Sequence, residues 1–287
     1  MNTQNNPPRS VLITGCSSGI GRCVAEGLKA RGYRVFASAR KVEDVEALRE
    51  AGFDDALQLD VRDSDSIQTA VRTVLDACDG RLYALFNNGA YGQPGAVEDL
   101  TRAVLREQFE TNLFGWHELT CAVLPAMRAA GEGRIIQDSS VLGFIGLPLR
   151  GAYNSSKYAL EGLSDTLRVE LHGSGIHVSL IQPGPILSRF RANAMRKFHD
   201  NIDVAKSPFR ATYEGMLARL NKVGPAAPGT LPPEAVLAKV IDALESANPK
   251  PRYPVTWPTW MFVVLKRVLT TRALDRFVRK ISKDENQ

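Results

Sequence analysis

A chain of 287 residues with 44% apolar and 23% charged residues has the composition of a soluble globular protein able to bury one large core. Its formal net charge of +5 is uneven: residues 250–287 hold nine Lys/Arg against three Asp/Glu, so the pI near 9.1 reports a basic tail and not a basic surface of the kind that grips nucleic acid. Cys16, Cys23, Cys78 and Cys121 form no C-x-x-C pair, and His117, His172, His177 and His199 lack zinc-like spacing, so a reduced compartment and no structural metal are expected.

Residues 1–9 are polar, with two prolines and no apolar core of the kind a secretory signal needs, and read as a disordered N-terminus of a cytoplasmic protein. Short apolar runs then alternate with longer segments of helical period. Residues 11–13, 35–37, 57–59, 82–86, 134–136 and 177–181 predict strands. The first segment between them, with Ile20, Val24 and Leu28 on one face and Gly32 at its end, predicts a helix closed by a glycine. Repeated β-α-β units cross over right-handedly. The expected fold is therefore α/β, a Rossmann-type doubly wound parallel sheet over residues 10–256, with ligands bound beyond the carboxyl ends of the strands.

Thr14-Gly15-Cys16-Ser17-Ser18-Gly19-Ile20-Gly21 follows the first strand and opens the first helix. In that place glycines let the backbone turn sharply and approach a pyrophosphate, and the helix N-terminus offers it unpaired N–H groups. The second strand ends in Ser38-Ala39-Arg40-Lys41, where an NAD-binding protein of this fold would place an acidic residue against the ribose 2′-hydroxyl. Here the charge is reversed, and the Arg40 guanidinium suits a 2′-phosphate, which favours NADP(H). Tyr153 and Lys157 stand four apart on one helical face, with Ser140 thirteen positions upstream and Asn112 in the preceding helix.

After Pro183-Gly184-Pro185 the rhythm changes, and residues 189–230 read as a helical substrate lid. The longest apolar stretch of the tail, 260–265, is cut off by Lys266 and Arg267, far short of the roughly 20 residues that span a bilayer. Within 257–287 two stripes recur at i, i+3, i+4, i+7: Met261, Val264, Leu265, Val268, then Leu274, Phe277, Val278, Ile281. These basic amphipathic helices, with Trp257 and Trp260 at one end, are expected either at a membrane surface or in an apolar groove of the protein or of a neighbouring subunit.

Taken together, the loop at Thr14 to Gly21, Asp60, Asn87-Asn88, Asn112, Ser140, Tyr153, Lys157 and Pro183-Gly184 resemble the short-chain dehydrogenase/reductase family over about residues 9–260. The stretches Leu12 to Gly21 and Lys157 to Gly162 look most like its 17β-hydroxysteroid and retinol dehydrogenase branch. The tail near Arg252-Tyr253-Pro254 and Leu265-Lys266-Arg267 is similar to that of a bacterial NADP-dependent aldehyde reductase of that branch.

The resemblance implies a catalytic set of Asn112, Ser140, Tyr153 and Lys157. It implies a cofactor site of Gly15, Ser17, Ser18, Gly19, Ile20, Gly21, Arg40, Asp60, Asn87, Tyr153, Lys157, Pro183, Gly184, Ile186 and Ser188. Asp60 would bond the adenine edge, Asn87 would lie by the adenosine ribose, Ile186 and Ser188 would reach the carboxamide, and Asn112 would anchor a water near Lys157. A homo-oligomer built on the helices around 113–127 and 153–171 is likewise implied.

Two positions depart from the family pattern: N-N-A-G reads Asn87-Asn88-Gly89-Ala90, and Asp138 stands where an apolar or small residue is usual. If position 90 needs a positive φ, alanine there is strained.

The chemistry so implied is reduction of a carbonyl to an alcohol, with Tyr153 as general acid/base, its pKa lowered by Lys157 together with an oxidised nicotinamide, and Ser140 donating to the developing oxyanion. Phe144, Ile145, Leu147, Pro148, Leu149, Phe190, Phe198 and Phe209 imply a lipophilic substrate if they face the pocket. They could equally be core. The alternative is a catalytically silent NADP-binding sensor or scaffold, against which the intact Ser140, Tyr153 and Lys157 argue.

Overall fold

The computed structural model describes residues 8–285. The expected disordered N-terminus falls largely outside the described residues. Arg9, its last member, is tied down: its carbonyl accepts the Arg34 N–H at 3.0 Å and its guanidinium stacks 4.2 Å over the Tyr83 ring.

The chain runs β1 (Ser10–Ile13), α1 (Gly19–Ala30), β2 (Arg34–Ala39), α2 (Val42–Glu50), β3 (Leu57–Gln58), α3 (Ser64–Ala77), β4 (Leu82–Asn87) and α4 (Arg102–Phe109). A π turn (Glu110–Phe114) leads into α5 (Gly115–Ala130), β5 (Gly133–Asp138), α6 (Gly151–Glu170) and β6 (Ile176–Gln182). Then come α7 (Phe190–Asn201), α8 (Arg210–Asn221), α9 (Glu234–Glu245), β7 (Arg252–Pro254), α10 (Trp257–Val268) and α11 (Thr271–Glu285). The strands form one parallel sheet in the order β3-β2-β1-β4-β5-β6-β7, the doubly wound arrangement expected. The order reverses at β1/β4, which opens a crevice at the carboxyl ends of those strands.

Side chains alternate across the sheet as the two-residue period requires. Val11 and Ile13 join the core under α1, α2 and α9, with Val24, Leu28, Leu48 and Val240. Leu12 joins the opposite core under α3, α5 and α6, with Ile67, Trp116, Leu119 and Leu160. The reading from sequence did not single out β7. It is only three residues long and contains Pro254, which an edge strand tolerates because one side needs no N–H donor.

The segment 189–230 holds α7 and α8, which pack Phe198, Tyr213, Met216 and Leu220 against Leu100, Val104 and Ala152. The tail forms two helices broken at 269–270. Their inner faces, Met261, Phe262, Leu265, Leu274, Phe277, Val278 and Ile281, close over Phe144 and Ile145. Val264 and Val268, expected in that stripe, instead face outward at 54% and 68% exposure, because α10 turns Phe262 and Thr259 inward. Among the described residues no helix is long and apolar enough to cross a membrane.

Candidate active site

The glycine loop turns at the carboxyl end of β1, where Gly15 (φ 72°) and Gly19 (φ 60°) adopt the left-handed conformation that costs L side chains about 1–2 kcal/mol. A Cβ on Gly15 would stand 2.6 Å from the Cα of Gly89, and one on Gly21 would overlap the Gly15 carbonyl, so the loop, α1 and the β4 end are in backbone contact. Asn88 clamps this junction. Its Nδ2 donates to the Thr14 carbonyl at 2.8 Å, while the Thr14 hydroxyl accepts the N–H groups of Asn88 and Gly89 at 2.8 and 2.9 Å. Ser18 caps α1 without a side-chain hydrogen bond and no acidic residue lies in the first turn, which leaves the helix N-terminus open to an anion. This cradle fits a dinucleotide pyrophosphate. Cys16, inside the loop, points into the core, and burial pushes its thiol up to about 12.

From the cradle a cavity of about 410 Å³ runs past the ends of β4, β5 and β6 to the lid. Gly15, Ser17, Ser18, Gly19 and Ile20 line one end; Ser140, Tyr153 and Lys157 line the middle with Pro183, Gly184, Ile186 and Ser188. Gly184 is required by packing, since a Cβ there would overlap the Thr256 hydroxyl. Arg40, Asp60, Asn87, Asn112 and Gly21 do not line this cavity. Arg40 is exposed at the end of β2, on the side of the glycine loop. Burial would raise the Asp60 carboxyl, but hydrogen bonds from Arg62 and the charges of Arg62 and Arg40 hold it below the ordinary range.

Asn87 is fully buried, donating to Thr120 and Gln137 at 3.1 Å each; its neighbour Asn88 reaches the cavity instead. Asn112 sits in the π turn, a distortion common at functional sites, and holds the Tyr91 backbone through Nδ2 (2.9 Å) and Oδ1 (3.3 Å). The swapped Gly89-Ala90 pair carries no strain, because Ala90 is not among the residues of positive φ.

Ser140 caps a short 3₁₀ turn (Val141–Gly143), its Oγ accepting the Leu142 N–H at 3.1 Å, which leaves the hydroxyl proton to donate. Lys157, 1% exposed, donates to the Asp138 carbonyl at 2.6 Å and lies 4.2 Å over the Trp116 ring. Burial lowers its pKa against the pull of Asp138 and Glu161. Burial and the charge of Asp138 raise the phenol of Tyr153 against a hydrogen bond from Ser140.

The apolar residues divide. Phe190 packs edge-on to Tyr153, ring centroids 5.3 Å apart, and lines the cavity with Leu147, Pro148 and Leu149, whereas Phe198 and Phe209 are lid core and Phe144 and Ile145 lie under the tail. Sequence reasoning missed Trp116 and Glu161, which helical spacing could have found, four residues beyond Asn112 and Lys157 respectively. Glu161 accepts from Ser139 (2.6 Å), Gln182 (2.9 Å) and Arg252 (2.9 Å), and so ties α6 to β6 and β7.

The family model described as short chain dehydrogenase matches residues 9–198. The Escherichia coli (strain K12) oxidoreductase YbbO is 46% identical over 271 residues, 94% of each chain. An NADPH-dependent 3-dehydrocapnine reductase of Ornithobacterium rhinotracheale is 32% identical over 279 residues, 95% of this chain and 96% of that one. A short-chain dehydrogenase structure from Streptomyces avermitilis superposes with a TM-score of 0.77 at 30% identity, covering 98% of this chain and 99% of the other. Since the matched region carries β1 to β6, the glycine loop and the Ser140, Tyr153 and Lys157 group, the chain belongs to the short chain dehydrogenase family of oxidoreductases.

Proposed function

We propose that the protein is an NADP(H)-dependent reductase that converts lipophilic aldehydes or ketones to alcohols, with Tyr153 as the general acid/base. The observation that carries this reading is the convergence of Ser140, Tyr153 and Lys157 on the cavity that also contains the pyrophosphate cradle. A bound reduced nicotinamide would supply hydride to the carbonyl carbon. Ser140 donates to the substrate oxygen as negative charge grows there, and Tyr153 Oη gives it a proton. Lys157, its ammonium fixed by the Asp138 carbonyl and the Trp116 face, keeps N–H donors for the cofactor ribose.

A lipophilic substrate is supported by Leu142, Leu147, Leu149, Phe190 and Leu220 on the cavity wall. A second cavity shares Val141, Leu147, Pro185 and Ala226 with the first and continues to Trp257, Met261 and Phe262, room for an alkyl chain. The name of the Ornithobacterium relative agrees with carbonyl reduction by NADPH.

NADP(H) is supported by Arg40, with no acidic residue between Ser38 and Lys41. In an assay of NADPH and NADH oxidation against aldehydes, retinoids, steroids and quinones, kcat/KM should favour NADPH by about tenfold or more, the worth of one charge-assisted hydrogen bond to phosphate. Arg40→Asp should move the preference toward NADH. Equal use of both cofactors by the wild type, or no turnover of any carbonyl, would overturn this reading.

Contact with an anionic membrane surface belongs to the same proposal. Trp257, Trp260, Val264 and Val268 share one outward face of α10, and Arg272, Arg276, Arg279 and Lys280 are exposed on α11. A homo-oligomer is supported by exposed Phe114, Leu163 and Val169 on the π turn and α6. The wild type should sediment as a dimer or larger species, and should float with anionic but not zwitterionic vesicles. The variant carrying Trp260→Glu and Val264→Glu should stay folded and lose the vesicles. A monomer, or equal flotation of the variant, contradicts the corresponding half.

A further inference from the structure

Asp138 ends β5 two residues before Ser140, is 8% exposed, and lines the catalytic cavity. Its Oδ1 is buried without a hydrogen-bond partner, while its own carbonyl oxygen holds the Lys157 ammonium at 2.6 Å. A carboxyl group is seldom left so, since an unpaired buried polar atom loses its hydration without compensation.

The surrounding charges are otherwise engaged. On α6, Glu161 is bound by Arg252 of β7, Ser139 and Gln182. From α10, Lys266 donates to the Phe144 carbonyl at 2.6 Å. From the lid, Arg191 binds carbonyls of α8 and the loop after it, and Arg189, Arg219 and Arg150 line the outer cavity. Asp138, Tyr153 and Lys157 line one and the same cavity.

We propose that Asp138 sets the protonation state of Tyr153: its carboxylate offsets the Lys157 cation and keeps the phenol protonated to higher pH, ready to donate in carbonyl reduction. The inference rests on Tyr153 being the proton carrier. In reduction the carbonyl carbon takes a hydride from reduced nicotinamide, the C–O π pair moves to oxygen, and that oxygen takes the proton of Tyr153 Oη, leaving a phenolate that solvent reprotonates. Alcohol oxidation runs the reverse and needs the phenolate at the start. A positive Lys157 alone stabilises the phenolate; a carboxylate beside that cation cancels much of the effect in a medium of low dielectric. The Asp138 charge raises both the Tyr153 phenol and the Lys157 ammonium, and burial pushes the Asp138 carboxyl itself up to about 7, so the offset is complete only above that pH.

The test compares wild type with Asp138→Asn and Asp138→Ser, using decanal with NADPH and 1-decanol with NADP⁺ as probes. In the wild type the basic limb of oxidation should lie near or above the ordinary phenol value of about 10. In either neutral variant it should move down by at least about one pH unit. A phenolate titration followed by ultraviolet absorbance on cofactor-free protein, as the difference from each protein's Tyr153→Phe counterpart, should show the same displacement. A wild-type limb at or below pH 7, or a limb and phenolate titration unmoved in a folded neutral variant, overturns the proposal. If Tyr153→Phe itself turns over, the functional reading fails instead, and the two failures are told apart.

Discussion

Tyr153→Phe should lower kcat/KM for carbonyl reduction by at least about 100-fold, the usual worth of a general acid, while the Kd for NADPH changes little. The ring is held independently of its hydroxyl: it packs edge-on against Phe190 and stands on the face of α6 that also carries Lys157. Phenylalanine keeps those contacts and removes only the proton. The cradle that would hold the phosphates, at Gly15 to Ile20, belongs to a different element of the fold and does not involve the phenol. Stopped-flow turnover with a saturating aldehyde, alongside NADPH fluorescence titration, measures both quantities. More than about a tenth of wild-type turnover would remove Tyr153 from the chemistry.

Gly115→Ala should lower the melting temperature by about 2–10 °C, from a destabilisation of about 1–3 kcal/mol and a few degrees per kcal/mol in a chain of this size. A Cβ at Gly115 would overlap the Val61 carbonyl oxygen, and the clash is with backbone, so α5 itself must withdraw from the connection between β3 and α3. Trp116 follows directly, and its ring supports Lys157 while its Nε1 donates to the Gly89 carbonyl at 3.1 Å. A loss of turnover should accompany the loss of stability. Gly162→Ala is the control. That glycine lies exposed within α6 with nothing within 4 Å of a Cβ, so the same change should stabilise by about 0.5–1 kcal/mol. Calorimetry that shows equal melting temperatures for the two variants would refute the packing argument.

Local patterns in the chain were enough to determine the parallel α/β sheet, the turn at Gly15 to Gly21 and the pairing of Tyr153 with Lys157. Each depends on a period of two or 3.6 residues, or on a backbone conformation that few residue types adopt, and such constraints act over a few positions. The strand pattern likewise placed Arg40 at the carboxyl end of β2, where the structure has it exposed.

What the sequence left open was decided by contacts between segments far apart. Phe190 faces the cavity and Phe198 the lid core, because α7 packs against α8 and the loop near Leu100, a choice no periodicity contains. The tail stripes cover Phe144 and Ile145, more than a hundred residues away, and this packing turns Val264 and Val268 to solvent. Asn88 and not Asn87 reaches the cavity, since β4 ends with Asn87 turned inward to Thr120 and Gln137. Asp138 is the clearest case. In the chain it is one acid among 31 Asp and Glu residues; its carbonyl on Lys157 and its buried, unpaired carboxylate oxygen exist only because β5 and α6 meet at the cavity, where a buried charge is weakly screened.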